Sequence, residues 1–164
     1  MRIKVRPDYR RRANDGRRHR GLAAGAEFFV IGVGEDSYRV VDLGHVHPSG
    51  RHLGGEPILY PKACFAVLDD SVPSGWSFGE FEDGEYHLAP GSTQLPGFYE
   101  DWHGSDGDVV AQAAARQTLR DELERMATEA DPADRALIDE TLARLPPPTS
   151  PRSPPYESVK QRRR

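Results

Sequence analysis

The chain has 164 residues, a net charge of −4, a single cysteine, and many turn formers (16 glycines, 14 prolines). That length fits one domain with appendages, and that composition implies a small core. One cysteine excludes an intramolecular disulfide framework. No apolar run approaches the ~18 residues of a membrane span, the longest being Phe28 to Val33. The basic start of the chain has no apolar stretch of the kind a secretory signal requires, so a cytoplasmic location is expected.

The charge is unevenly placed. Residues 1–20 hold nine basic and two acidic side chains, a net of +7, and residues 146–164 hold five and one, a net of +4. The middle, 21–145, is left with 8 basic and 23 acidic residues, a net of −15. Blocks of this kind mark interaction surfaces or solvated tails, not a fold.

Met1, Ile3 and Val5 alternate with Arg2 and Lys4, the period of a half-buried strand, and the charges place it at a sheet edge. Pro7 ends it. An arginine-rich loop with an Asn14-Asp15-Gly16 turn follows. It suits contact with phosphates or simple solvation. From Glu27 to Val33 both alternating faces are apolar, so this strand is expected to be covered on both sides. After a turn at Gly34-Glu35-Asp36, the return strand puts Tyr38 and Val40 on one face and Arg39 and Val41 on the other. A polar excursion from Leu43 to Gly55 carries His45, His47 and His52. A zinc site would need a rigid fourth ligand there, so surface histidines are the expectation. A strand from Glu56 to Pro61 and another from Cys64 to Leu68 follow, with Cys64 expected in the core.

From Asp69 to Asp108 there are ten Asp or Glu and no Lys or Arg, interspersed with aromatics. Glycines break this strap into short pieces: extended segments at Trp76 to Phe81 and Glu85 to Leu88, and a helical turn at Phe98 to His103. Neither EF-hand spacing nor a differentiated pair of carboxylates is present, so no calcium loop and no acid–base catalysis is expected. Phosphate-binding glycine motifs are missing too. Asp108 then caps a helix to about Glu129 with Val109, Ala113, Leu119, Leu123, Met126 and Ala127 as its stripe and an Asp121–Arg125 pair on its surface. Asp131 and Pro132 start a second helix with Leu137, Ile138, Thr141, Leu142 and Leu145 as its stripe. These two helices should pack as an antiparallel hairpin, on the sheet or on a partner. Pro146 to Pro148 stop it, and the tail beyond is Pro- and Arg-rich and expected to be disordered.

The turn at Gly25, the strand at Phe28, Tyr38-Arg39-Val40, Asp42, Gly44 and the run from Glu56 to Pro61 resemble small bacterial SH3-like barrel proteins of the polymorphic-toxin immunity type. The continuation through Pro73 to Trp76, Asp83 to Tyr86 and Pro96 to Asp101 is similar to that group too. The likeness covers about half the chain. It implies an SH3-like small antiparallel β-barrel, partly open and of about five strands, carrying the strap (1–104), then a helical hairpin (105–145) and a disordered tail (146–164). It also implies a non-catalytic protein-binding module without metal or cofactor, an immunity protein occluding the basic surface of a partner such as a toxin domain. The contacts assigned to that partner are Glu80, Glu82, Asp83, Glu85, Glu100 and Asp101 for charge, with Trp76, Tyr86, Tyr99 and Trp102 as anchors. The alternative is a nucleic-acid-binding module using the basic loop and the tail; no membrane role is expected.

Overall fold

A computed structural model of the protein describes residues 1–9, 21–46, 52, 53, 55–80, 86–104 and 107–148. The Asn14-Asp15-Gly16 turn in its arginine-rich loop, His47, and the tail from Thr149 onward lie outside the described residues, as do positions 81–85. The described strands are β1 (Arg2–Val5), β2 (Glu27–Val33), β3 (Ser37–Val41), β4 (His45–Val46), β5 (His52–Leu53), β6 (Pro57–Pro61), β7 (Phe65–Asp69), β8 (Trp76–Glu80) and β9 (Tyr86–Pro90). Three helices follow: α1 (Phe98–His103), α2 (Val109–Glu129) and α3 (Pro132–Arg144).

The fold is a large antiparallel sheet covered by the helices. Its main path runs β6-β3-β2-β1-β7, with β9 also paired to β2 and β8 paired to β9. β2 belongs to two parts of this sheet. Its first half pairs with β1, Phe28 opposite Ile3. Its second half pairs with β3, Val30 opposite Val40, with a register slip before Gly32. Such an irregularity bends a strand and increases its twist. The sheet is open: among the described residues β6 and β7 do not pair, although only the 3-10 turn Lys62–Cys64 separates them.

Alternation along β2 divides the interior in two. Phe28 and Val30 point into one cluster with Ile3, Val5, Tyr38, Val40, Tyr60, Cys64 and Phe65. Phe29 and Ile31 point into another with Val41, Phe98, Trp102, Leu119, Leu123 and Ile138. The expectation that this strand is covered on both faces is met. So is the buried position of Cys64, and both helix starts are as expected: the Asp108 carboxylate accepts from the amides of Val110 and Ala111, and Asp131 from those of Ala133 and Asp134. The helical hairpin packs on the sheet. Leu119, Leu123 and Ile138 are fully buried there, and the short side chains of Ala111, Ala114 and Ala115 let α2 lie close to its neighbours.

Three expectations need correction. β1 is not an edge strand, since β2 and β7 occupy its two sides; its charges are accommodated by ion pairs, Arg2 with Asp134 at 2.6 Å and Lys4 with Glu27 at 3.1 Å. Val109 is exposed in the first turn of α2, and Arg125 pairs with Glu122 and Glu129 instead of Asp121, while its guanidinium also donates to the Ser74 carbonyl. The excursion from Leu43 to Gly55 contains the short β4–β5 pair and is closed at its base. There the buried Asp42 carboxylate accepts from the amides of Gly44 (2.9 Å) and Glu56 (3.0 Å) and from the Tyr60 hydroxyl (3.3 Å). A side chain at Gly21 would collide with that carboxylate, and one at Gly55 with the Asp42 carbonyl, so both close approaches require glycine. Burial, and then the neighbouring Asp42 charge, push the Tyr60 hydroxyl well above the ordinary phenol range.

Because β2 is buried on both faces, Phe28→Ala and Phe29→Ala should each destabilise the protein by about 3–5 kcal/mol, although the two rings lie in different clusters. Urea unfolding followed by far-UV circular dichroism measures this; a near-neutral result for either one contradicts the two-sided packing.

Candidate functional site

The acidic strap is built on the β8–β9 arm and α1. Cross-strand register puts Phe78 opposite Leu88 and Glu80 opposite Tyr86, with Trp76 opposite Pro90. Residues that are directly opposite share a face, so these six side chains lie on one side of the arm and Ser77, Gly79, His87 and Ala89 on the other. The arm is held to the body by the pairing of β9 with β2 at Leu88 and by contacts at its root. Trp76 is half-buried and its indole N–H points at the Met126 sulfur, 3.4 Å away. Gln94 Nε2 donates to the carbonyls of Ser77 (2.5 Å) and Ala89 (2.7 Å). Farther out, Phe78 is 76% exposed and Tyr86 60%.

α1 starts after Gly97 and presses Phe98, Tyr99 and Trp102 against the sheet and α2, leaving Glu100 in solvent. Phe98 and Tyr99 meet edge to face with centroids 5.0 Å apart. Trp102 has no exposed surface; its indole donates to Glu56 Oε2 at 3.1 Å, and His103 Nδ1 lies 3.0 Å from the same oxygen. Burial resists ionisation of Glu56, but the hydrogen bonds from His103 and Trp102, with the charges of His103 and Arg116, outweigh it and hold the carboxyl below its ordinary value.

The sequence-assigned contacts are therefore split. Glu80, Tyr86 and Glu100 are exposed, and Trp76 is half-buried. Tyr99, Asp101 and Trp102 are buried, the two aromatics within the core, which corrects their assignment as partner contacts; a helix of six residues pressed between sheet and α2 has little outward surface to offer. Glu82, Asp83 and Glu85 lie outside the described residues. Phe78, the most exposed large apolar side chain of the described residues, was not singled out by sequence. Counting in twos from Trp76 puts Phe78 and Glu80 on its face of the strand, and that is the signal that finds it.

Beside the arm lies a cleft of about 240 Å3 whose lining includes Arg39, Glu80, His87, Tyr99 and Glu100. Period-two alternation in β3 sends Arg39 away from Tyr38 and Val40 and toward this side. Its guanidinium carbon lies 3.5 Å from the centroid of the Tyr99 ring. Burial raises the Tyr99 phenol, with the Arg39 charge and a hydrogen bond with Thr93 acting against it. No group of three or more His, Cys, Asp or Glu converges as a metal site would need among the described residues, and no helix among them is long and apolar enough to cross a membrane. No family model, curated protein or solved structure matches the chain.

The lowered Glu56 carboxyl gives a pH test. A folded-state value below the unfolded one contributes stability above the unfolded value, and that contribution is lost as pH falls through the folded one. Wild type should therefore lose more stability than Glu56→Gln as the pH drops below the ordinary 4.5 of this group. Parallel denaturation curves for the two proteins across that range would contradict the assignment.

Proposed function

We propose that the protein is a non-catalytic binding module whose contact surface is the exposed face of the β8–β9 arm together with the rim of the adjoining cleft. The observation that carries this reading is the pair Phe78 and Tyr86, both exposed on neighbouring strands of an arm otherwise fastened to the core. Large aromatics presented on a rigid element are the residue types that dominate binding energy, and charges around them set encounter rate and choice of partner. Glu80 and Glu100 flank this face, in a stretch with ten carboxylates and no Lys or Arg from Asp69 to Asp108. The complementary partner is a basic protein surface.

The strand connectivity supports the finer fold assignment. A five-strand path with a bent second strand shared between two parts of the sheet, and a 3-10 turn before the last strand of the path, is compatible with an SH3-like small barrel opened between β6 and β7. In the immunity-type proteins that the sequence resembles, such a module acts by occlusion, and a toxin domain is then the basic partner. Fold analogy alone does not carry the function; the exposed arm does.

Phe78→Ser with Tyr86→Ser should leave stability within about 0.5 kcal/mol, because both side chains are mostly in solvent. The same double variant should weaken binding to a basic protein captured by wild type by about 2 kcal/mol or more. Glu80→Lys with Glu100→Lys should slow association at low salt and lose its effect at high salt. Surface plasmon resonance with a panel of basic proteins at two ionic strengths reads all three. Unchanged affinity and on-rate in both double variants would refute this surface.

A further inference from the structure

Arg39 is a buried cation whose charge no ion pair among the described residues neutralises. The residue is 8% exposed, stacks on Tyr99, and donates one long hydrogen bond, from Nη1 to the Pro57 carbonyl at 3.4 Å. No carboxylate among the described residues lies within ion-pair distance of it. Among the described residues its remaining N–H groups find no acceptor, and the residue lines the cleft beside the arm. A guanidinium withdrawn from bulk water while keeping unused donors is suited to a planar oxyanion, which it takes in a two-pronged geometry.

The remainder of the lining restricts what that oxyanion belongs to. Glu80 and Glu100 are exposed carboxylates at the same cleft. They disfavour a polyanion such as a phosphate ester or nucleic acid and favour a positive charge next to the bound oxyanion. At about 240 Å3 the cleft is smaller than the roughly 300–1,000 Å3 of sites for drug-sized ligands and cofactors, and it suits one residue of a chain. Leu59 and Leu95 add apolar walls for an aliphatic stem.

We propose that this cleft is a subsite for a carboxylate carried beside a cation, as a Lys or Arg at the C-terminus of a partner protein presents it. Arg39 takes the carboxylate, Tyr99 fixes the plane of the guanidinium, and Glu80 and Glu100 take the side-chain cation. This rests on the reading that this face binds a basic protein and adds the chemistry of the group that enters it.

The probes are three small molecules titrated into 15N-labelled protein, with the Arg39 Nε–H resonance as readout. Nα-acetyl-arginine has both groups, Nα-acetyl-argininamide lacks the carboxylate, and acetate lacks the cation. Nα-acetyl-arginine should shift the resonance saturably, the amide should not, and acetate should bind at least about tenfold more weakly. Glu80→Gln with Glu100→Gln, which leaves Arg39 and its stacking in place, should bring Nα-acetyl-arginine down to the affinity of acetate. A flat titration with Nα-acetyl-arginine overturns the subsite, as does equal binding of the amide or of acetate, or full affinity in the double variant. The probes do not include an aromatic-binding group, so their failure leaves the Phe78–Tyr86 surface standing, and failure of that surface in the basic-protein panel leaves the titration result unchanged.

Discussion

The structure depends on β2 being buried on both faces. Phe28 and Val30 complete the cluster enclosed by the bent sheet, and Phe29 and Ile31 complete the one beneath the helices. Apolar burial of this kind is the main favourable term in folding, with about 1.5–3 kcal/mol for each large side chain removed from water. A strand that serves only one layer can be exposed on its other side. This one cannot, so Phe29 and Ile31 bind the helical hairpin to the sheet from the same strand whose other face, through Phe28 and Val30, holds the sheet together.

That constraint explains where function can reside. Most large aromatics of the acidic strap are needed to fill the space between sheet and helices: Phe98, Tyr99 and Trp102 go there, and Trp76 fastens the arm by reaching Met126. What is left over among the described residues is Phe78, in the middle of β8, and Tyr86, at the start of β9, exposed on one face of the two-stranded arm. The arm joins the sheet through Val33 opposite Leu88, so its position is set by the far end of β2. The core thus fixes a projecting surface without occupying it. At the other end of β3, the Asp42 carboxylate ties together Gly44, Glu56 and Tyr60 and keeps the excursion from disturbing the sheet.

Much of this was legible in the sequence, for local reasons. The all-apolar run in β2, the period-two alternation of Tyr38 to Val41, the capping carboxylates Asp108 and Asp131 and Pro132 at the start of α3 all act within a few residues, and each produced the expected element. Pairing was less legible, since it joins residues far apart in the chain. The charges of Arg2 and Lys4 read as an edge strand because Asp134, which receives Arg2, lies more than a hundred residues away. The strap was misread for a related reason. Six residues of α1 are too few to display a stripe, so Tyr99, Asp101 and Trp102 looked the same as the exposed Glu100. Arg39 was placed on the correct face by alternation, but its burial under Tyr99 came from a contact sixty positions away in sequence.

Native-state hydrogen exchange tests the central claim most directly. If β2 ties both clusters into one cooperative unit, the amides of Phe28 to Ile31 and those of α2 around Leu119 and Leu123 exchange only through global unfolding, with the same free energy and the same denaturant dependence. Exchange of the α2 amides through a separate opening at distinctly lower free energy, with the β2 amides still protected, would show that the helices are an independent layer and contradict the account.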